Sequence, residues 1–194
     1  MKIKFLVVFL LFIFCFRISA ENEESFLGDT TAKNVLIEYA SLSCVHCANF
    51  HNKDLPSIKK DLIDTGKVKY IYRNFPLDRP AMIAAMVSNC YSGSKYFEVL
   101  NTLFRNQKKW VAKSENIEEF QEVLFSVLKI HGITQENIKV CTSENEANKE
   151  KWNTILKIRL EAQQMGVNST PSFFLNGEKL KGAITSEYLK SIIK

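Results

Sequence analysis

The chain has 194 residues, a length that suits one domain or one domain carrying an insertion. Its formal charge of +5 at pH 7 includes Lys2, Lys4 and Arg17, the charged residues of the first 20 positions, so the remaining chain carries +2. The other lysines are scattered among acidic residues, as on an ordinary solvated surface. This composition excludes a strongly basic surface, and we expect no nucleic-acid partner.

The first 20 residues have the pattern of an export signal. Two lysines precede an unbroken apolar run over residues 5–16, and Ile18-Ser19-Ala20 forms a plausible cleavage site. The run is about 12 residues long, whereas a membrane-spanning helix needs about 20. We therefore predict a signal peptide over residues 1–20, with an uncleaved membrane anchor as the alternative. Removal of this segment with its Cys15 leaves four cysteines, in a compartment where disulfides persist.

The pattern that follows predicts a strand, a helix and a second strand. Residues 35–40 are rich in β-branched and aromatic side chains, which favour a buried strand. A helix is expected to begin at Cys44, with Ser43 as its N-cap, and to bend near Pro56. Residues 67–73 alternate polar with apolar side chains and predict the next strand. A strand–helix–strand unit predicts that the two strands are parallel.

Residues 80–150 have a helical pattern throughout, with apolar side chains recurring at three- and four-residue spacing. A long helix is expected over residues 145–165. The strand pattern returns near the C-terminus. A strand, a two-residue turn, a second strand and a last helix are expected over residues 172–175, Asn176-Gly177, 178–181 and 186–193. The sequence therefore predicts an α/β core that an all-helical block interrupts.

A C-x-x-C motif, Cys44-Val45-His46-Cys47, lies at the predicted start of the first helix. A cysteine attacks a disulfide as a thiolate, so a redox cysteine needs surroundings that lower its pKa. Unpaired N–H groups and the helix dipole would stabilise a Cys44 thiolate, the dipole by at most about 2 kcal/mol. Cys47, one turn later, can pair with Cys44, and His46 would add a positive charge or a hydrogen bond. The motif therefore predicts thiol–disulfide chemistry.

A zinc site is the main alternative for this motif, with Cys44, Cys47 and His51 as three of its ligands. A structural zinc site usually has a second ligand pair at similar spacing, and the sequence has no such pair. We therefore favour the redox interpretation and expect no bound metal. The metal content of the purified protein would decide between the two.

The motif after a strand, the helical block and Thr170-Pro171 before the last hairpin together resemble the DsbA-type thioredoxin-fold family. The resemblance covers nearly the whole chain after the signal segment. It implies that Cys44 is the exposed nucleophile and Cys47 its buried partner. It also implies that Thr170-Pro171 is a cis peptide facing the disulfide, with the Thr170 backbone pairing with substrate. Val45 departs from the best-known members, which carry proline there.

The same resemblance implies a domain organisation. A thioredoxin fold is expected over residues 27–78 and 151–194, interrupted by an inserted helical domain over residues 79–150. Cys90 and Cys141 both fall in this insertion, where some family members carry a second cysteine pair. We expect a structural disulfide there, with two separate buried thiols as the alternative.

Glu38 lies six residues before Cys44, where the family has a buried acid. Leu36, Glu38 and Ala40 share one strand face, and a central parallel strand is covered on both faces, so we expect a buried carboxyl. Such a group suits relay of the Cys47 proton. A partly solvated glutamate at a strand end is the alternative.

The resemblance implies a thiol–disulfide oxidoreductase that introduces disulfide bonds into exported proteins, with Cys44–Cys47 as its redox-active disulfide and no further cofactor. Its partners would be reduced exported polypeptides and a membrane quinone-linked reoxidase of the DsbB type. The protein is expected to be a monomer in the periplasm or bacterial cell envelope. An isomerase or reductase of the same fold is the first alternative, followed by a peptide-binding chaperone or a zinc-binding module.

Overall fold

The computed structural model describes residues 24–113 and 116–193, and the predicted signal peptide lies outside them. In this part of the chain, five strands form a sheet in the order β1-β3-β2-β4-β5. The strands are Phe26–Leu27 (β1), Asn34–Ala40 (β2), Val68–Asn74 (β3), Ser172–Leu175 (β4) and Glu178–Lys179 (β5). The predicted α/β core is therefore confirmed.

β2 occupies the centre of the sheet. It pairs in parallel with β3 and antiparallel with β4, which confirms the parallel pair predicted from the strand–helix–strand pattern. Leu36, Glu38 and Ala40, which share one face of β2, are all 0% exposed. The opposite face carries Tyr39, because side chains alternate along a strand, and Tyr39 packs edge-on against Phe174 of β4.

The edge strand β1 has no counterpart in the sequence analysis, because two residues are too few to show a period. It pairs antiparallel with β3, where Leu27 lies opposite Tyr70. Gly28 follows with φ 99°, and a Cβ atom there would lie 2.6 Å from the carbonyl oxygen of Val68. Glycine is therefore required where the chain leaves this strand.

The helix after β2 covers residues 45–63 and alternates between α and π geometry. Its segments are Val45–Asn49 (α1), Phe50–Asp54 (π), Leu55–Ile58 (α2) and Lys59–Ile63 (π). Pro56 has no N–H to donate, so the ordinary bond to the carbonyl four residues earlier cannot form. The irregularity predicted near Pro56 thus takes the form of a π segment just before it.

The chain between β3 and β4 is helical, as its periodicity predicts. The α-helices of this region are Arg79–Ser88 (α3), Gly93–Arg105 (α4), Gln107–Trp110 (α5), Ile117–Leu128 (α6), Gln135–Thr142 (α7) and Glu146–Gln164 (α8). A last helix, Ser186–Ile192 (α9), follows β5. The predicted domain boundary at residue 151 falls inside α8. This helix contacts both α3, in the insertion, and β3, in the sheet. The division into domains stays a prediction.

One apolar core joins the sheet to the inserted helices. Leu36 of β2, Leu62 of the first helix and Leu100 of α4 all belong to it and are 0% exposed. The insertion therefore packs directly on the layer that carries the C-x-x-C motif. Across residues 24–113 and 116–193, no helix combines the length and apolar character needed to cross a membrane.

Candidate active site

Cys44 and Cys47 lie where the chain passes from β2 into α1. Cys44 is the N-cap residue, and its N–H donates to the carbonyl oxygen of Ser41 at 3.1 Å. The prediction that Ser43 is the N-cap is wrong, because the Ser43 hydroxyl instead pairs with the Ser41 hydroxyl at 3.0 Å. The Cys44 sulfur thus stands half-buried at the helix N-terminus, whereas Cys47 is fully buried.

The two thiols have opposite electrostatic surroundings. The pKa of Cys44 is lowered to about 5, chiefly by a hydrogen bond from the Cys47 thiol, next by the Thr170 side chain and then by the backbone N–H groups of Cys47 and His46, against the effect of partial burial. Burial is the main cause that raises the pKa of Cys47, followed by its bond to Cys44 and the charge of Glu38. At neutral pH the accessible sulfur is therefore a thiolate and the buried sulfur keeps its proton.

The Thr170-Pro171 peptide is cis, as the resemblance implies, and it connects the end of α8 to β4. The Cys44 sulfur lies 3.4 Å from the carbonyl oxygen of Thr170. This loop therefore forms one wall beside the reactive sulfur.

Val45 and His46 form the exposed part of the motif. Val45 is 54% exposed, and Leu77 adds a second exposed apolar side chain near the same turn, since its N–H donates to the Ser41 hydroxyl at 3.3 Å. The backbone N–H of His46 contributes to the lowered pKa of Cys44. The role predicted for its exposed imidazole stays a prediction.

Glu38 is fully buried near Cys47, which confirms the burial expected from the strand face. Its Oε2 accepts a hydrogen bond from the Tyr70 hydroxyl and forms another with Nε2 of His51 at 3.0 Å. Burial raises the pKa of Tyr70, so its hydroxyl stays protonated and remains a donor. Oε1 of Glu38 has no hydrogen-bond partner among the described residues. The carboxyl is thus oriented by two elements, β3 and the first helix.

Sequence reasoning missed His51 as a partner of Glu38. The His51 ring is buried and stacks on Phe104, with centroids 3.9 Å apart. The sequence contains one indication of this position. His51 follows Cys47 by four residues, and a helix puts such positions on one face, so His51 is expected on the same side of the helix as Cys47. Nε2 of His51 is bonded to Glu38, and Cys44, Cys47 and His51 do not come together as a metal-binding group. Nowhere in the described chain do three His, Cys, Asp or Glu side chains form a metal-binding group.

Cys90 and Cys141 form a disulfide, the pairing that the resemblance implies. Cys90 follows α3 and Cys141 lies in α7, with their Cα atoms 6.1 Å apart. Nζ of Lys151, in α8, lies 2.9 Å from the Cys90 sulfur. The disulfide therefore links helices of the insertion to one another, and it does not involve the cysteines of the C-x-x-C motif.

The fold and these side chains define a class of protein. A C-x-x-C motif at the N-terminus of the helix between two parallel strands, a cis-proline loop beside it and helices inserted between β3 and β4 are the features of a thioredoxin-fold redox protein. Known proteins lead to the same class, since a family model described as thioredoxin matches residues 20–194. The chain belongs to the thioredoxin family.

Within that family the chain is DsbA-like. The crystal structure of alpha-DsbA1 from Wolbachia pipientis has 31% sequence identity and a TM-score of 0.76, with 88% of each chain covered. A protein-disulfide isomerase from Novosphingobium aromaticivorans, at 24% identity and a TM-score of 0.69, shares the fold over 86% of this chain and 93% of its own. A Rickettsia conorii protein whose name proposes a protein-disulfide oxidoreductase is 30% identical over 81% of this chain. That match covers 54% of the Rickettsia protein, so the chain spans about half the length of this relative.

Proposed function

We propose that the protein is a thiol–disulfide oxidoreductase that introduces disulfide bonds into other polypeptides. One observation carries this proposal: a half-buried Cys44 with a lowered pKa stands beside a fully buried Cys47 with a raised pKa. Accessibility and nucleophilic character thus coincide on one sulfur, so attack and resolution are divided between the two cysteines.

The proposed reaction begins with the Cys44–Cys47 disulfide. A substrate thiolate attacks the Cys44 sulfur, the Cys44–Cys47 bond breaks, and the Cys47 sulfur leaves with the electron pair and takes up a proton. A second substrate thiolate attacks the substrate sulfur of this mixed disulfide, so the substrate disulfide forms and Cys44 leaves as a thiolate. The substrate loses two electrons, and the enzyme gains them as a dithiol.

The direction of transfer follows from the Cys44 thiolate. A sulfur with a pKa of about 5 is a good leaving group at neutral pH and stabilises the reduced enzyme. The disulfide form is then an oxidant, which favours disulfide donation over reduction or isomerisation.

Glu38 is proposed to serve the buried half of the reaction. The Cys47 sulfur leaves in a fully buried position, where a bare thiolate is strongly disfavoured. The charge of Glu38 acts on this sulfur, and Tyr70 and His51 fix the carboxyl by hydrogen bonds. Glu38 would supply the proton when Cys47 leaves and accept it when the dithiol is reoxidised.

The proposed substrates are reduced exported polypeptides. An extended segment would pair with the Thr170 backbone and pack on the exposed Val45 and Leu77 side chains. The signal pattern over residues 1–20 supports a location in the periplasm or cell envelope. Reoxidation there would come from a quinone-linked membrane partner of the DsbB type, and we propose a monomer.

Oxidation of reduced ribonuclease tests the proposal against its nearest alternative. The oxidised protein, in stoichiometric amounts, is expected to restore ribonuclease activity, whereas the reduced protein should be slow with scrambled ribonuclease. Cys44→Ser should abolish oxidation. In Cys47→Ser, the Cys44 thiolate should attack a disulfide of scrambled ribonuclease, one ribonuclease sulfur should leave as a thiolate, and the mixed disulfide should accumulate because no Cys47 thiol resolves it. Efficient rescue of scrambled ribonuclease with weak oxidation would instead identify an isomerase, and full function of Cys44→Ser a chaperone.

A further inference from the structure

A glutamine of the inserted helices reaches the turn that carries the reactive cysteine. Gln107 is the first residue of α5 and is 7% exposed. Its side-chain Nε2 donates to two backbone carbonyls, that of Leu42 at 2.7 Å and that of Cys44 at 2.9 Å. Both acceptors are carbonyl oxygens, so the amide nitrogen has to face them, and both of its protons are used.

The two carbonyls bracket the entry into α1. The Cys44 carbonyl also accepts the N–H of Ala48 at 3.1 Å, which is the bond that opens the first helical turn. The Cys44 N–H donates back to Ser41. Gln107 therefore fixes the peptide planes on either side of Ser43 and Cys44. The helix that begins at this turn carries the N–H groups of His46 and Cys47, which contribute to the lowered pKa of Cys44.

The position of Gln107 is itself fixed by the packing of α5. Trp110, one turn later, is 0% exposed, and its indole N–H donates to the carbonyl of Leu103 in α4 at 2.8 Å. The Trp110 ring also packs on Phe120 of α6. The Gln107 amide thus projects from a closely packed part of the insertion onto the turn before α1. The Cys44 carbonyl that it contacts lies 63 residues earlier in the chain.

We propose that Gln107 is a positioning residue through which the inserted helices hold the Cys44 turn in its reactive geometry. This inference deepens the proposed function and rests on it. The contact is polar, doubly bonded and buried, and a general packing role would be filled as well by an apolar side chain of similar length. Loss of the two bonds should leave the first turn of α1 less well ordered, so that its N–H groups stabilise the Cys44 thiolate less.

The test is a thiolate titration of Cys44, followed by absorbance near 240 nm, in the wild type and in Gln107→Met. Methionine keeps the length of the side chain and removes both donors. We expect the apparent pKa of Cys44 to rise by about one unit, which corresponds to a tenfold smaller thiolate population below the pKa. The equilibrium constant for oxidation of glutathione by the protein should fall several-fold for the same reason. Gln107→Glu, which sets a carboxylate against two carbonyl oxygens, should shift both quantities further.

Gln121→Met is the matched control. Gln121 also lies in an inserted helix and donates through Nε2, but its acceptor is the hydroxyl of Thr142 at 2.7 Å, a residue of α7 rather than of the motif. Its titration should equal that of the wild type. A folded Gln107→Met with an unchanged titration would overturn the inference. If that variant fails to fold, Gln107→Asn, which keeps one donor group on a shorter chain, must show a raised pKa or the inference fails.

The outcomes also separate this inference from the proposed function. The titration needs no substrate, so it reports on Gln107 even if the wild type proves inactive with reduced ribonuclease. If the wild type is inactive but the Gln107→Met titration is shifted, the proposed function is contradicted and the positioning role of Gln107 is supported. If the wild type is active and the Cys44 titration of Gln107→Met is unchanged, only the positioning role of Gln107 is contradicted.

Discussion

The lowered pKa of Cys44 links the stability of the reduced protein to pH. The folded thiol has a pKa of about 5, against 9.0 for the unperturbed group, so the unfolded chain binds one more proton between these values. The stabilisation is therefore complete above about pH 9 and is lost as the pH falls through about 5. We expect the urea midpoint of the reduced protein to exceed that of the oxidised protein near pH 7.5, and the gap to shrink toward pH 5.

Reduced Cys44→Ser provides the control for this pH trend. The variant has no ionising sulfur at the helix N-terminus, so its midpoint should vary much less over the same range. Equal midpoints for the oxidised and reduced wild type at every pH would contradict the thiolate argument and, with it, the strong oxidant character.

His51 is the second residue whose role can be measured. Its bond to Glu38 is one of two at the fully buried Oε2, the other being from the Tyr70 hydroxyl, and such a hydrogen bond contributes about 0.5–1.5 kcal/mol. His51→Leu should lower the free energy of unfolding by about that amount, measured by urea denaturation of the reduced protein. The exposed His46 lies one turn earlier, and His46→Leu should stay within about 0.5 kcal/mol of the wild type. Equal effects of the two substitutions would show that the His51–Glu38 bond adds nothing.

At the level of the element, the backbone at the start of α1 already has a conformation that accepts proline at Val45. Val45 is the first helical residue, where the N–H is unsatisfied in any helix, and Cys44 before it is extended at φ −76° and ψ 121°. Val45→Pro should therefore be tolerated and stabilise the protein by about 0.4–1 kcal/mol through a less flexible unfolded chain. Thermal unfolding of both redox forms measures this.

Ala48→Pro serves as the opposite substitution in the same helix. The Ala48 N–H donates to the Cys44 carbonyl, so proline removes a bond and places its ring against the preceding turn. A loss of about 3 kcal/mol or more is expected. A destabilising Val45→Pro would mean that the first turn does not have the geometry described above.

The elements differ in how far the sequence predicts them. β2, β3 and β4 follow from runs of β-branched and aromatic residues, because strands at the centre of a sheet must bury such side chains. The prediction of Ser43 as the N-cap is wrong because the Ser43 hydroxyl pairs with the Ser41 hydroxyl instead, and a general capping rule does not include this competing partner. The short edge strand β1 depends on pairing with β3 and has no local pattern of its own.

For the whole molecule, the site joins residues that are local in sequence to residues that are distant. Cys44 and Cys47 are predictable because the C-x-x-C motif and the helix start are neighbours in the chain. Gln107 contacts the motif, and Tyr70 contacts Glu38, only after the chain has folded. No rule of sequence spacing predicts either contact. The catalytic pair is thus encoded locally, whereas the groups that orient it come from the tertiary structure.

The Cys90–Cys141 disulfide tests whether the stability of the insertion and the chemistry of the motif are separable. The bond joins residues 51 apart in sequence, for which the chain-entropy model gives about 4 kcal/mol of stabilisation. The double variant Cys90→Ala/Cys141→Ala should lose up to that amount in urea denaturation under non-reducing conditions. The Gln107 amide holds the Cys44 turn through α5, which Trp110 anchors to α4 and α6 without either cysteine, so the Cys44 titration of the folded variant should not change. A raised Cys44 pKa in this variant would show that the disulfide, and not the packing of α5, fixes the position of Gln107.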